Sequence, residues 1–319
     1  LSVQSVGGIG SVVTQDAVSQ DGLEDSLDLG TLVLTGERVE RDIFNTASSV
    51  QAFDGEFIEE NPQNNDLESI FGIVPNITLG TGNQAPVIRG VNSGGEISGG
   101  ALGALAGALP RATVTIDGRN LSQNETIYGT SSVFDTEIVE VFRGPQTTSQ
   151  GANAIAGAIN LRTRDPVFEQ EAALRVEGAS NNGRAYSLMF NTPLSDSVAV
   201  RFVRDHESQD TFFNYAPANL VEDVATQVRQ DATRVKLLYH PVSLPEFSTK
   251  LTFNFIEFAG AQNQALSVPL SANIVNVTPF GVPSFVGETL GIVHDVSYDF
   301  GNGWSIRNQY QYSEARSIR

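Results

Sequence analysis

The chain has 319 residues and a formal net charge of -18, with 37 acidic side chains against 19 basic ones. This balance disfavours nucleic-acid binding, which uses a basic surface. The sequence contains no cysteine, which excludes disulfides and thiolate metal sites. No run reaches the ~18–20 consecutive apolar residues of a membrane-spanning helix, although strands that cross a membrane alternate apolar and polar residues and are compatible with this composition.

The N-terminal segment, residues 1–42, is small, polar and acidic, and we interpret it as a flexible tail. It begins at Leu1 without a signal-peptide pattern, so we expect a processed or truncated N-terminus. One β-prone run, residues 31–35, lies between Gly30 and Gly36. This run is compatible with an ordinary first strand, or with a strand that a partner captures edge-on.

Residues 43–166 have the pattern of a mixed α/β domain. Strands are predicted at 48–53, 87–91, 113–118, 137–142 and 158–163, and helical turns at 57–61, 67–72 and 131–135. Asn65 or Asp66 is the expected N-cap of the second helix, and Pro75 ends it. The Gly/Ala-rich residues 93–109 are predicted to form a loop.

After Pro166 the pattern changes to seven runs in which apolar and polar residues alternate. These runs begin near residues 172, 186, 198, 234, 250, 290 and 304. Short connections at 193–197, 241–246 and 301–303 alternate with long ones at 205–230 and 259–288, and a tight turn at 180–183 lies on the long-loop side. Such asymmetry is typical of an outer-membrane barrel; the alternative is a soluble antiparallel sheet with one solvated face.

The most informative stretch is residues 134–166. It combines a charged-apolar strand at 137–142, the turn Arg143-Gly144-Pro145, a small-residue run at 151–157 and a second strand. No catalytic nucleophile or phosphate loop stands out in it, and we expect no enzymatic activity. The histidines His206, His240 and His294 lie far apart in the chain and in different strand contexts, so we expect no metal site.

An ordered set of motifs resembles the plug domain of TonB-dependent outer-membrane receptors. The motifs lie at 49–53, 66–75, 87–90, 113–118, 138–145 and 151–163, and the whole resemblance spans residues 29–317. It implies an α+β plug domain followed by antiparallel transmembrane β-barrel strands, in a barrel of about 22 strands. Because seven runs are present, we expect the N-terminal portion of a longer receptor: a tail at 1–42, a plug at 43–166 and barrel strands at 167–319.

The resemblance implies roles for two sets of residues. Residues 30–36 resemble the TonB box, which assigns coupling to Thr31, Leu32, Val33, Leu34 and Thr35. Plug-to-barrel anchoring falls on Arg89, Gly90, Arg143 and Gly144. The two arginines would meet carboxylates on the inner barrel wall; the alternative is ion pairing within the plug.

Ligand contacts are expected at the apex of the plug, in loops 79–86, 93–111 and 122–130. The candidates are Asn83, Gln84, Arg111 and Tyr128. Each could equally be an ordinary solvated loop residue.

The function implied by the resemblance is import of a scarce ligand across the outer membrane of a Gram-negative bacterium, powered by the proton gradient through TonB. A ferric siderophore is the first expectation; cobalamin, haem, other metals and oligosaccharides stay open. The expected partners are TonB, the ligand and outer-membrane lipid, without nucleic acid and without a cofactor. Two other classes are a passive porin or adhesin barrel and a soluble β-rich surface protein.

Overall fold

The computed structural model describes residues 33–34, 41–42, 49–61, 66–78, 86–93, 111–122, 125–126, 132–145, 154–211, 214–216, 226–261, 274–276, 284–301 and 303–318. An α+β region precedes residue 166, and a seven-stranded antiparallel sheet follows it. We call the first region the plug and the seven-stranded sheet the wall. Neither helix of the described residues is long and apolar enough to cross a lipid bilayer.

The plug is organised around a five-stranded mixed sheet. In spatial order its strands are β3 (Val50–Asp54), β9 (Thr136–Arg143), β10 (Gly157–Thr163), β7 (Ala112–Ile116) and β8 (Arg119–Asn120). Strands β10 and β7 pair in parallel, and the other pairs are antiparallel. The three central strands are rich in β-branched and apolar residues and are buried along most of their length, which suits strands covered on both faces.

Two short helices cover part of this sheet, α1 (Gly55–Glu60) and α2 (Leu67–Ile73). The predicted N-cap is confirmed at Asp66, whose carboxylate accepts the Ser69 N–H at 2.7 Å. The Asp66 N–H in turn donates to the Ser69 hydroxyl at 3.4 Å, which completes a capping box. Side chains of α2, Ile70 and Phe71, join the apolar core of the plug.

The predicted strand through Arg89 was wrong. The chain forms two strands there, β5 (Val87–Ile88) and β6 (Val91–Asn92), and β5 also pairs with β4 (Ile77–Thr78). Arg89 and Gly90 both have positive φ, 49° and 79°, so they form the tight turn between the two strands. The Arg-Gly pair is therefore a hairpin turn and not the interior of a strand.

The predicted helical turn at 131–135 was also wrong in the part that is described. Ser132 forms an isolated bridge with Asp66, and residues 134–135 form a turn. Asp135 adopts φ 60°, a left-handed conformation that Asp tolerates and that does not propagate a helix. This turn directs the chain into β9.

All seven predicted runs of the wall are confirmed as strands. Their spatial order follows the sequence: β11 (Glu171–Ala179), β12 (Gly183–Ser195), β13 (Val198–Asp210), β15 (Gln227–Tyr239), β16 (Phe247–Ala261), β18 (Ser284–Gly301) and β19 (Trp304–Ile318). They have nine to eighteen residues, and the longer ones continue into the predicted long connections. A parallel pair in those connections, β14 (Asn214–Ala216) and β17 (Ile274–Asn276), was not predicted.

The two faces of the wall differ in polarity, as the alternation predicts. The face toward the plug buries polar and charged side chains, including Arg201, Lys236 and Asn254. The opposite face exposes large apolar residues, such as Leu174 at 73% and Trp304 at 74%. Such an arrangement suits a sheet whose outer face contacts lipid.

Candidate functional site at the interface of plug and wall

A buried ion pair joins the plug to strand β13. Arg201 donates through Nε to Asp135 Oδ2 at 2.9 Å and through Nη2 to Asp135 Oδ1 at 2.5 Å. Its Nη1 donates to Glu171 Oε2 at 2.7 Å. Both Arg201 and Asp135 are almost fully buried, and such a pair is tolerated because its donors and acceptors are satisfied in a bidentate geometry.

A second cluster joins the plug to β15 and β16. The buried Lys236 Nζ donates to the Thr163 carbonyl and to Asp165 Oδ1, both at 2.8 Å, and to Asp117 Oδ1 at 3.3 Å. Asp165 also accepts from Lys250 Nζ at 2.7 Å. Asp117 is held in place by the Thr163 N–H at 2.9 Å and hydroxyl at 2.8 Å. The cluster therefore fastens three positions of the plug to two adjacent strands of the wall.

The charges of this cluster are stable across physiological pH. Burial alone would raise the pKa of Asp117, but the positive charges of Lys236 and Arg234 outweigh burial and hold that pKa below its ordinary value. Burial likewise opposes ionisation of Asp165, while Lys236 and Lys250 lower its pKa to about 2. Both carboxylates are thus ionised at neutral pH and keep their lysine partners.

A third contact lies where β8 meets strands β18 and β19. Arg119 is fully buried and bonds to Glu125 Oε1 at 2.9 Å and, across the interface, to Ser313 Oγ at 3.1 Å. On β18, Gly291 lies directly against this guanidinium, since a Cβ added there would be 2.5 Å from Arg119 Nε. The absence of a side chain at Gly291 is what allows Arg119 to pack so close to the wall.

The predicted anchoring residues lie together within the plug. Arg143 Nη1 donates to the Pro75 carbonyl at 3.1 Å, and a Cβ at Gly144 would lie 3.4 Å from Arg89 Nη1, in the turn that includes Gly90. Their described contacts are with other plug residues. The anchoring role of this set stays a prediction.

The ion pairs described between plug and wall have the polarity opposite to the one expected for Arg89 and Arg143. Carboxylates come from the plug, at Asp117, Asp135 and Asp165. The cations come from the wall strands, at Arg201, Arg234, Lys236 and Lys250.

These ion pairs were not predicted from the sequence, although the alternating pattern of the wall strands already contains their cationic partners. Arg201, Arg234, Lys236 and Lys250 all lie on the polar faces of strands that the alternation identified correctly. Cations that recur on the inner face of neighbouring strands need anionic partners inside the sheet. The partners could not be found from sequence, because they lie between 66 and 119 residues away in the chain.

The candidate coupling segment is partly described. Val33 and Leu34 form strand β1 and pair with strand β2 (Arg41–Asp42) in a separate two-stranded sheet. Thr31, Leu32 and Thr35 lie outside the described residues. The coupling role therefore stays a prediction.

The candidate ligand residues are mostly outside the described part of the chain, namely Asn83, Gln84 and Tyr128. Arg111 is described and half-buried, and its N–H donates to the Ser93 carbonyl at 2.7 Å. Its own carbonyl accepts from the Ala156 N–H at 2.8 Å, so this position is held by the plug. Within the described residues, no group of three or more His, Asp or Glu side chains is placed to hold a metal ion.

Comparison with known proteins shows which receptors this chain is similar to. The family model TonB-dependent Receptor Plug Domain matches residues 42–158. The ferrioxamine B receptor of Salmonella typhimurium is 25% identical over 185 residues, which cover 55% of this chain and 25% of that protein. The ferric enterobactin receptor PirA of Pseudomonas aeruginosa is 27% identical over 214 residues, covering 60% of this chain and 27% of that protein.

Solved structures share the fold. The ferric yersiniabactin uptake receptor FyuA of Yersinia pestis superposes with a TM-score of 0.73 at 15% identity, covering 85% of this chain and 41% of that one. The ferripyoverdine receptor of Pseudomonas aeruginosa, bound to ferripyoverdine, gives 0.66 at 16% identity, covering 89% and 36%. The chain spans about a quarter of the length of the two curated relatives named above.

Proposed function

We propose that this chain, whose residues 42–158 match the TonB-dependent receptor plug domain, belongs to a receptor that imports a ferric siderophore across the outer membrane of a Gram-negative bacterium, driven through TonB. The observation that carries the proposal is a receptor-type plug fastened by buried ion pairs against an antiparallel sheet with an apolar outer face. The curated relatives it matches are receptors named for ferrioxamine B and ferric enterobactin, which supports iron chelates as the cargo class.

The plug would act as the closed gate of the pathway. Ligand would bind at its apex, with Asn83, Gln84, Arg111 and Tyr128 as the contacts that we propose. Binding would favour a plug arrangement that TonB can act on. The chemistry needed is recognition and displacement, and the proposal includes no catalytic step.

Coupling would use residues Thr31 to Thr35 as a strand added to the edge of TonB. Among the described residues, Val33 and Leu34 of strand β1 pair with β2 in a two-stranded sheet that is separate from the plug sheet. A partner strand can therefore replace β2 there without breaking the main-chain hydrogen bonds of the plug sheet. This supports capture of the segment without unfolding of the plug core.

Retention of the plug would depend on its ion pairs. The carboxylates of Asp117, Asp135 and Asp165 hold the plug to strands β13, β15 and β16 of the wall. We also propose Arg89, Gly90, Arg143 and Gly144 as anchors toward other parts of the barrel. The two sets would then hold different sides of the plug.

The test is uptake by the full-length receptor in iron-limited cells that lack their own siderophore receptors. We would measure accumulation of iron-55 as ferrioxamine B and as ferric enterobactin, in cells with and without TonB. We expect accumulation of at least one chelate only with TonB. Accumulation that is equal without TonB would overturn active import.

A backbone variant tests the coupling segment. Val33→Pro removes a main-chain donor from the strand, so we expect surface binding of the chelate to persist and uptake to fall more than tenfold. Val13→Pro, in the same tail, is the matched control and should leave uptake unchanged. Equal uptake by both variants would contradict strand capture at residues 31–35.

A further inference from the structure

A cluster of basic side chains, three arginines and one histidine, lies on the outer face of the wall, on the face away from the plug. Its members share three neighbouring strands, β12, β13 and β15, and are Arg184, Arg204, His206 and Arg229. The register places Arg184 and Arg229 on either side of Ser208. The four side chains therefore form one continuous patch, which we call the outer cationic patch.

The patch is built around one covered carboxylate. Asp231 accepts from Arg204 Nη2 at 2.5 Å, its Oδ2 forms an ion pair with Arg229 Nε at 3.2 Å, and its Oδ1 lies 2.9 Å from His206 Nδ1. The side chain of Asp231 is 9% exposed, whereas those of Arg204 and Arg229 are 41% and 49% exposed. Asp231 offsets one of the charges of the two arginines that it contacts, and the groups that stay exposed at this surface are the guanidinium groups.

The patch borders the apolar part of the same face. Phe190, Phe202, Val235 and Phe253 face one another in a single cross-strand row, and Arg204 lies two residues beyond Phe202 on β13. From Val198 to His206, eight steps of about 3.3 Å at a tilt of about 40° rise roughly 20 Å, close to the ~25 Å height of an outer apolar band. The patch thus lies at the edge of this band, on the end with the long connections.

We propose that the outer cationic patch binds the phosphate groups of lipids in the outer leaflet. Arginine presents a planar fork of donors that matches a phosphate, and it is less strongly hydrated than an ammonium group. Cations at the rim of an apolar band attract anionic headgroups. The inference rests on the membrane placement in the proposed function and extends it to a lipid partner.

Neighbouring acids set the limit of the site. On the next strands, Glu257 lies opposite Asp231, and Glu288 lies opposite Glu257. Two carboxylates facing the same surface repel a phosphate. The site is therefore confined to strands β12 to β15 and does not run around the whole outer face.

Native mass spectrometry of the full-length receptor tests the proposal with phosphatidic acid as the probe. The receptor would be released from micelles that contain equal amounts of phosphatidic acid and phosphatidylcholine. We expect the charge-neutral variant Arg204→Gln with Arg229→Gln to retain at least fivefold less phosphatidic acid than the wild type. The matched variant Glu257→Gln with Glu288→Gln, on the same face, should not lose any.

Two further measurements separate the effect of charge from that of the arginine side chain, and binding of lipid from binding of free phosphate. Arg204→Lys with Arg229→Lys keeps the charge and should stay within about twofold of the wild type. Inorganic phosphate at millimolar concentration should not displace the lipid, because the acyl chains lie on the apolar band. Equal retention of phosphatidic acid by the wild type and the glutamine variant overturns the proposal, and so does full displacement by inorganic phosphate.

The same preparations separate this inference from the proposed function. Heat-dependent migration on gels reports a folded barrel, and TonB-dependent uptake reports import. A folded, importing receptor without lipid preference would overturn the phosphate site alone. A receptor that binds phosphatidic acid but imports without TonB would overturn the proposed function alone.

Discussion

The plug and the wall differ in the side chains that dominate their buried parts. In the plug, one apolar cluster draws residues from both helices and the five-stranded sheet, among them Ile70, Val139 and Ile159. In the wall, the buried face carries Arg201, Lys236 and other polar groups, and many of the large apolar residues lie on the exposed face. The plug is packed like a domain in water, and the wall has the polarity expected of a sheet with lipid on one side and the plug on the other.

The comparison shows how two such regions can be held together without a shared apolar core. Their contact is made by ion pairs and hydrogen bonds at defined points, with close approach allowed where a glycine such as Gly291 lies opposite. A polar interface has a large cost if one partner is missing, and little net gain over apolar packing. The polar interface therefore favours one position of the plug, while the plug can in principle still separate from the wall.

The largest expected effect is at the Arg201–Asp135 pair. Asp135→Asn leaves a buried guanidinium without its main counter-charge, so we expect the free energy of unfolding of the receptor to fall by about 3–5 kcal/mol. Glu171, which also contacts Arg201, places the expected value at the lower end. Urea unfolding of the receptor in liposomes measures this change.

The matched control is an exposed ion pair at the start of β9, the strand that follows Asp135. Glu137 bonds to Arg162, and both side chains are well exposed, so Glu137→Gln should cost about 0–1 kcal/mol. If Glu137→Gln and Asp135→Asn cost the same, the buried pair does not hold the plug in the way the geometry indicates.

A second prediction tests the outer face of the wall. Phe202→Arg places a charge in the middle of the apolar row, and we expect a loss of about 2–4 kcal/mol in liposomes. Val242→Arg, exposed in the short connection between β15 and β16, should cost almost nothing. Equal effects of the two variants would mean that the face around Phe202 does not contact lipid.

A third prediction tests close approach at the interface. Gly291→Ala puts a Cβ 2.5 Å from the buried Arg119 Nε, and such overpacking costs about 1–3 kcal/mol. Gly178→Ala, on β11, meets nothing within 4 Å and is the control. Unchanged unfolding of Gly291→Ala would show that Arg119 can move away from the wall without loss.

The sequence predicts the elements of both regions better than the contacts between them. Period-two alternation is a local signal, and it located all seven wall strands and their two faces. The cap at Asp66 is likewise local, since its partner Ser69 is three residues away. Each of these signals is complete within a few residues of the chain.

The failures come from backbone conformations and from distant partners. Arg89 and Asp135 adopt positive φ, which neither residue type announces in sequence, so a strand and a helical turn were predicted where the chain turns. The bond from Lys236 to Asp117 joins residues 119 positions apart. The pairing of acidic and basic side chains depends on the position of the plug against the wall. A single sequence does not contain that information.

The smallest expected effect concerns pH and the Asp165 bridge. The pKa of Asp165 is about 2 in the folded protein against an ordinary 3.8, so its stabilisation is complete above pH 4 and is lost as the pH falls toward 2. The half-exposed side chain keeps the effect modest. Between pH 5 and 2, the unfolding temperature of the wild type should therefore fall more steeply than that of Asp165→Asn. Asp196→Asn, in the exposed turn between β12 and β13, should follow the wild type. Parallel curves for the wild type and Asp165→Asn would contradict the bridge, and would leave Asp135 and Arg201 as the stronger link between plug and wall.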